Sequence, residues 1–448
     1  MTVYLQQKRS IHNPILDALI SNATLKSTFK VFIRGSLFGI GSKIILSLTS
    51  VKSLRRLLLT RVGRRDIFTS SLLFGTLTAS FKGLTNVGIH LFGLQYASPI
   101  VFISALGAAQ AMRLEKSGSR RSLFATYSLV RACWSLLQSS RFNNNTHINN
   151  SNTTSPSHFN NNMNNINKNN TNTSSLIVRN VTKNGAPLLF ILSCTNIMWC
   201  WFYYPKSIEG IYRIWITKMA HMDADLVKAL RYLHHGKVKY GRRSDILRQY
   251  SLRLGLDPTQ ANLLQFVPQK YVTHGYSTSM WLALRFLIGL KDSVPLYLPV
   301  HLIPSLLFQY KKWMQDPKKA IGKLCRNVLQ SSSFLASFIT LAWAPILLTR
   351  LLLRKDTSLG IGLGCLSCGL SIYCERPSRR RELAMFVFPR VLEIWYEYVI
   401  RNRWMKPIHN GAIWIFSVSL AIIAERSVVT KDSKDVNLFV GLAELMFQ

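Results

Sequence analysis

One nine-residue pattern recurs in this chain, with four of its nine positions identical, and the repetition limits the fold more than any other feature. Glu375-Arg-Pro-Ser-Arg-Arg-Arg-Glu-Leu383 follows an apolar, small-residue run (Gly360 to Cys374) and precedes an aromatic amphipathic run (Ala384 to Tyr398). Glu115-Lys-Ser-Gly-Ser-Arg-Arg-Ser-Leu123 stands in the same way between Ser104 to Met112 and Phe124 to Leu137. A shift of 260 lays Glu115 on Glu375, Arg120 on Arg380, Arg121 on Arg381 and Leu123 on Leu383. Upstream, Gly107, Ala108, Ala109 and Ala111 fall on Ser367, Cys368, Gly369 and Ser371, small on small. Near the start of each copy, Ile11-His12-Asn13-Pro14 aligns with Thr273-His274-Gly275-Tyr276 at a shift of 262. Near the end, Asn184-Gly185-Ala186 aligns with Asn410-Gly411-Ala412 at a shift of 226. The shift falls by 34 residues, close to the length of the Asn-rich tract 143–175, so that tract reads as an insertion in the first copy.

Each copy consists mostly of apolar runs of about spanning length. In the first they are Val31 to Val51, Ile67 to His90, Pro99 to Met112 and Lys183 to Tyr204. In the second they are Val294 to Tyr310, Ser331 to Leu351, Leu359 to Cys374 and Asn410 to Ala424. The chain carries a net charge of +37 and a mean hydropathy of +0.13. A membrane protein with basic loops combines these two properties. A soluble nucleic-acid binder would explain the charge but not the long apolar runs, and no nucleic-acid motif is present. The expected fold is an all-α integral membrane protein. It has about eight transmembrane helices in two parallel four-helix repeats, because an even number of spans returns each copy to the same side. Interfacial amphipathic helices are expected over Arg120 to Arg141 and Glu382 to Tyr398, with a helix packed on the bundle as the alternative for Arg120 to Arg141.

The expected organisation is repeat 1 over 1–142, an insert over 143–175, the fourth span of repeat 1 over 176–204, a basic helical connector over 205–272, and repeat 2 over 273–448. The insert is Asn, Thr and Ser with few apolar residues, so it is expected to be disordered. Its sequons, such as Asn144 and Asn172, arise from that composition. In the connector, Asp223 to Leu233 and Ser244 to Leu256 read as amphipathic helices whose basic faces need no ligand. The first residues lack an apolar stretch behind a basic start, so no cleaved secretory signal is expected. The aromatic residues late in the fourth span suit an interface belt.

Gly35 with Gly39, and Gly360 with Gly364, are GxxxG pairs that let a second helix backbone approach closely. The third and seventh spans are expected to meet through such small residues. Arg120, Arg121, Arg379, Arg380 and Arg381 read as a basic membrane edge. With Glu375 the last three would also suit anionic lipid head groups. Arg34, Lys43, Lys82 and His301 fall in or near spans, where a charge is either functional or snorkels to the interface. Cys365, Cys368 and Cys374 are too few for a structural zinc site, which takes four ligands. The Gly360 to Gly364 run follows no strand and is not a nucleotide loop. No catalytic constellation stands out among 19 acidic residues, so neither enzyme activity nor a cofactor or metal is expected.

The run Cys365 to Ala384, with Phe388-Pro389 and Trp395 after it, resembles the transmembrane protein 135 family. The duplicated layout and the paired His12 and His274 fit the same resemblance. Glycine-rich spans of that family are similar to those of the mitochondrial inner-membrane translocase superfamily. The resemblance implies a multi-pass protein of the peroxisomal or mitochondrial membrane, linked to organelle organisation, fission–fusion balance and lipid homeostasis. It supplies no catalytic residues. The partners expected are the bilayer, anionic lipid head groups and unidentified proteins, but no nucleic acid. The alternative is a transporter or lipid carrier with a path between the repeats.

Overall fold

A computed structural model describes residues 22–47, 57–150, 185–220, 224–235, 269–355 and 357–429, with single residues at 252 and 255. Among the described residues the fold is all-helical, with no strand. The main helices are α1 (Asn22–Ser47), α2 (Arg61–Phe92), α3 (Ala97–Ala108), α4 (Gly118–Asn150), α5 (Gly185–Tyr203), α6 (Gly210–Ala220), α7 (Ala224–His234), α8 (Thr278–Phe308), α9 (Pro317–Leu353), α10 (Ser358–Cys368), α11 (Pro377–Arg401) and α12 (Gly411–Val429). Four stretches are long and apolar enough to cross a membrane: 94–114, 185–203, 278–306 and 317–353. The run 358–374 is apolar but shorter.

The helices fall into two compact units. The first, within 1–157 and 406–448, holds α1 to α4 and α12. Gly35 and Gly39 bring α1 onto α2: a β-carbon at Gly35 would lie 2.6 Å from the Phe74 carbonyl oxygen, and one at Gly39 2.5 Å from that of Ser70. The last helix, α12, closes this unit by packing against α3 and α4. Ile413 and Phe416 join Leu73, Ala109, Met112 and Ala125 in one core. Gln110 Nε2 donates to Ser417 Oγ at 3.4 Å, and Ser98 Oγ to Glu425 at 3.1 Å.

The second unit, within 158–405, holds α5 to α11. Here α5 lies among α9, α10 and α7. Phe190 meets Phe334 at 5.8 Å, Trp199 approaches Gly362, and Tyr203 stacks on His234 at 3.7 Å. Gly360 and Gly364 pack against Thr349 and the Ala342 carbonyl of α9, so the partner of these glycines is α9 and not a third span. The preceding turn explains this choice: α9 and α10 are joined by only a few residues and fold back as an antiparallel pair. Trp201 and Tyr203, expected in an interface belt, are buried in this core.

Several boundaries differ from the sequence reading. α8 starts at Thr278, capped by Ser277, sixteen residues before the expected Val294. Arg285, Lys291 and Asp292 break the apolar run without breaking the helix, and Arg285 is held over the Trp281 ring at 4.5 Å. Pro295, Pro299 and Pro304 lie inside α8, as is tolerated where neighbouring helices satisfy the freed carbonyls. α9 has 37 residues, roughly 55 Å at 1.5 Å per residue, well beyond a hydrocarbon core of about 30 Å. Its first turns carry Lys318, Lys319, Lys323 and Arg326. Asn143 to Asn150 continue α4, so the tract expected to be disordered begins with two turns of helix. Extending an existing helix needs no new nucleus, and Asn costs only a few tenths of a kcal/mol per residue (roughly). The rest of that tract, Asn172, the N-terminal His12 and nearly all of Ser244 to Leu256 lie outside the described residues.

Candidate functional site

Both units contain the same succession: an apolar helix tightens into a 3-10 turn, a buried glutamate follows, and a basic helix begins. In the first unit the turn is Ala109–Leu114 and the glutamate Glu115; in the second they are Gly369–Cys374 and Glu375. The glutamates are only 3% and 2% exposed. Arginines in the first turn of a helix face the positive end of its dipole, and a carboxylate placed just ahead offsets that cost.

At the first junction Glu115 accepts from the Ser117 backbone N–H at 2.9 Å and pairs with Arg120 at 3.1 Å. Arg120 also reaches Asp66 at 2.6 Å, and Lys43 meets the same carboxylate at 2.9 Å. Burial raises the pKa of Asp66, but the hydrogen bonds and charges of Lys43 and Arg120 outweigh it and hold the carboxyl below its usual range. Lys43 is therefore neutralised on the spot, and α1, α2 and α4 are tied at one point.

At the second junction Glu375 accepts from Ser331 Oγ at 2.7 Å and pairs with Arg379 at 3.3 Å. Arg379 Nη1 donates to Ser331 Oγ at 2.6 Å and lies 3.3 Å from His301 Nε2, which is itself 3.1 Å from Ser331 Oγ. Arg380 returns to the Glu375 carbonyl at 2.9 Å, and Arg376 holds Gln330 at 2.9 Å. Arg120, Arg379 and Arg380 thus have structural partners as well as a basic charge. Arg121 and Arg381 follow in the first turns of α4 and α11, half-buried. Arg34 and Lys82 are half-buried on α1 and α2; His301 and Lys43 join the clusters and Lys82 joins neither.

Two cavities flank the second junction. One, about 170 Å³, is almost wholly apolar; Phe190, Met198, Trp201, Tyr297, Phe334 and Phe338 are among its walls. Trp215 and Phe386 stand partly exposed at its margin. The other, about 220 Å³, is polar and is lined by His301, Ser305, Gln309, Lys323 and Asn327. On α8, Tyr297 lines the first and His301, one turn later, the second. On α9, Phe334 lines the first and Asn327 the second, with Ser331 between them.

The connector supplies a further set of contacts that its sequence did not signal. Arg231 Nε donates to the Phe202 carbonyl at 2.8 Å, and a ring nitrogen of His235 lies 3.1 Å from the Tyr203 carbonyl. These groups satisfy the end of α5, where carbonyls lack helical partners. His234, stacked on Tyr203, has its pKa lowered by burial and by the neighbouring His235.

Cys365 and Cys368 are buried helix-packing residues, and the Cys368 thiol donates to the Cys365 carbonyl. All seven cysteines are free thiols. No group of three metal-ligating side chains occurs among the described residues. No protein-family model matches the chain, and no solved structure matches it.

Proposed function

We propose that the chain is a multi-pass protein of the peroxisomal or mitochondrial membrane that handles lipid, and through lipid homeostasis bears on organelle organisation and fission–fusion balance. It is built from two parallel copies of a four-helix unit that have exchanged their fourth helices. The exchange follows from reading α5 as the fourth helix of the first copy and α12 as that of the second. The matched glutamate junctions and the matched helix order support the duplication. About eight spans result when α1, α2, α10 and α12 cross with the four more apolar helices. The proposal assigns no catalysis to the chain.

The observation that carries the lipid reading is the aromatic cavity next to the Glu375 junction, an apolar space beside a basic cluster. It favours handling of lipid over a purely scaffolding role. The basic surface suits the anionic leaflet of a membrane. Imaging of a tagged chain against peroxisomal and mitochondrial markers, with alkaline carbonate extraction of the same cells, tests the membrane assignment. The chain is expected on one of these organelles and in the pellet; release into the supernatant ends the reading. Loss of the chain is expected to alter the lipid composition of that organelle. Altered organelle shape with unchanged lipids would favour the scaffold.

A further inference from the structure

We propose that the second unit binds a lipid anion with a single acyl chain, the chain in the aromatic cavity and the head group at His301, Arg379 and the polar cavity beyond them. This rests on the membrane reading above and assigns the ligand class and its residues.

Two helices run past both cavities and carry their lining residues in the same order. α8 presents Tyr297, His301 and Ser305 on successive turns, and α9 presents Phe334, Ser331, Asn327 and Lys323. In both, the sequence passes from apolar wall to charged cluster to polar wall. Asn327 to Phe338 is eleven residues, roughly 16 Å at 1.5 Å per residue. The two cavities therefore lie on either side of the cluster of Glu375, Arg379, His301 and Ser331 along both helices. The Tyr297 and His301 rings, one facing each cavity, are 6.3 Å apart.

Charge selects the head group. One carboxylate, Glu375, pairs with Arg379, while Arg376 also acts on His301 and Lys323 lines the polar cavity, so the surroundings of His301 retain an excess of positive charge. The first turn of α11 adds its dipole in the same sense. Arg379 is about one-third exposed and its second nitrogen leaves room for a further acceptor. Volume selects the tail. An apolar space of about 170 Å³, roughly the size that admits one benzene ring, has room for a segment of one acyl chain and none for a second. The partly exposed Trp215 and Phe386 give that chain a way in from the bilayer.

The test uses the full chain in carbonate-washed native membranes, so that a failure of membrane insertion is seen first, in the fractionation. A photoreactive fatty acid and its methyl ester are crosslinked in parallel, and the labelled peptides are mapped. The acid is expected to label the α5 and α9 walls at least five-fold more than the ester, with competition by lysophosphatidate. Arg379→Gln should remove the preference for the acid over the ester, and Arg379→Lys should restore most of it. Phe338→Trp, which fills the cavity, should reduce both. Thermal unfolding of each variant identifies any that fails to fold. Equal labelling by acid and ester in the parent chain, or labelling by acid unchanged in a folded Arg379→Gln, would overturn the proposal. Stronger competition by a two-chain phosphatidylglycerol than by lysophosphatidate would overturn the single-chain assignment.

Discussion

Gly362 and Gly364 sit two residues apart on α10, and alanine at the two positions should move stability in opposite directions. A β-carbon at Gly362 would have Trp199 Cζ3 as its nearest neighbour, at 3.6 Å, which is ordinary contact. Gly362→Ala therefore collects the helix-propensity gain of about 0.8–1 kcal/mol with nothing to displace. At Gly364 the β-carbon would run into the Ala342 carbonyl oxygen, with Ile346 Cγ1 at 3.3 Å. A backbone oxygen cannot rotate away, so α9 and α10 must separate. Overfilling of this kind costs about 1–3 kcal/mol, more than the same propensity gain returns in most of that range. The two variants should differ by about 1–3 kcal/mol, since the propensity term is common to both. In a unit of this size that is a gap of roughly 2–12 °C. The buried thiols of Cys194, Cys365 and Cys368 report unfolding directly through a thiol-reactive dye on detergent-purified protein. The reasoning fails if Gly364→Ala melts at or above Gly362→Ala. The exposed Leu366 on the same helix gives a neutral reference in Leu366→Ile.

Glu375→Gln should destabilise by about 1–3 kcal/mol, the worth of a charged hydrogen bond. Adding Arg379→Gln should recover part of the loss; strict additivity in the double-mutant cycle would show that the pair does not interact. Acidification should lower the melting temperature. The His234 pKa is depressed below its ordinary 6.5 by burial and by His235, so the unfolded chain binds the extra proton more readily. Its stabilising contribution is full above 6.5 and is lost as pH falls through the depressed value. A melting series from pH 7.5 to 5 should drop less in His234→Gln, and an unchanged slope would remove His234 from the account.

The sequence made the helices legible where apolar residues ran unbroken, and α10 begins within a residue of its expected start. It misplaced α8, because Arg285, Lys291 and Asp292 look like a loop when read along the chain. The Trp281 ring beneath Arg285 shows how one of those charges is accommodated. The spacing of Gly360 and Gly364 gives a helix face and not what covers it: the third span was expected there, and α9 is what the two glycines meet. The buried glutamates were visible as a repeated position. Asp66, which shares Arg120 with Glu115, and Ser331, which donates to Glu375, were not, because each lies more than forty residues away in sequence on another helix. The aromatic residues of α5 carried an ambiguous signal. Trp and Tyr near a span end suit both a membrane interface and a packed core, and here Trp201 and Tyr203 are core.

The position of α12 has a consequence for how the protein is made. The α3 surface that α12 covers leaves the ribosome roughly 300 residues before α12 does. At about 5–20 residues per second, that is an interval of about 15–60 s. During that time the first four helices are in place with their α12 neighbour still unsynthesised, and the face that carries Ala109 waits uncovered or against a temporary occupant. A stop codon between 406 and 410 leaves the early unit permanently short of one wall while the later unit, which ends at 405, is complete. Truncated chains should therefore be cleared through their N-terminal half first, and an insertion chaperone that shelters that surface would act before the second unit exists.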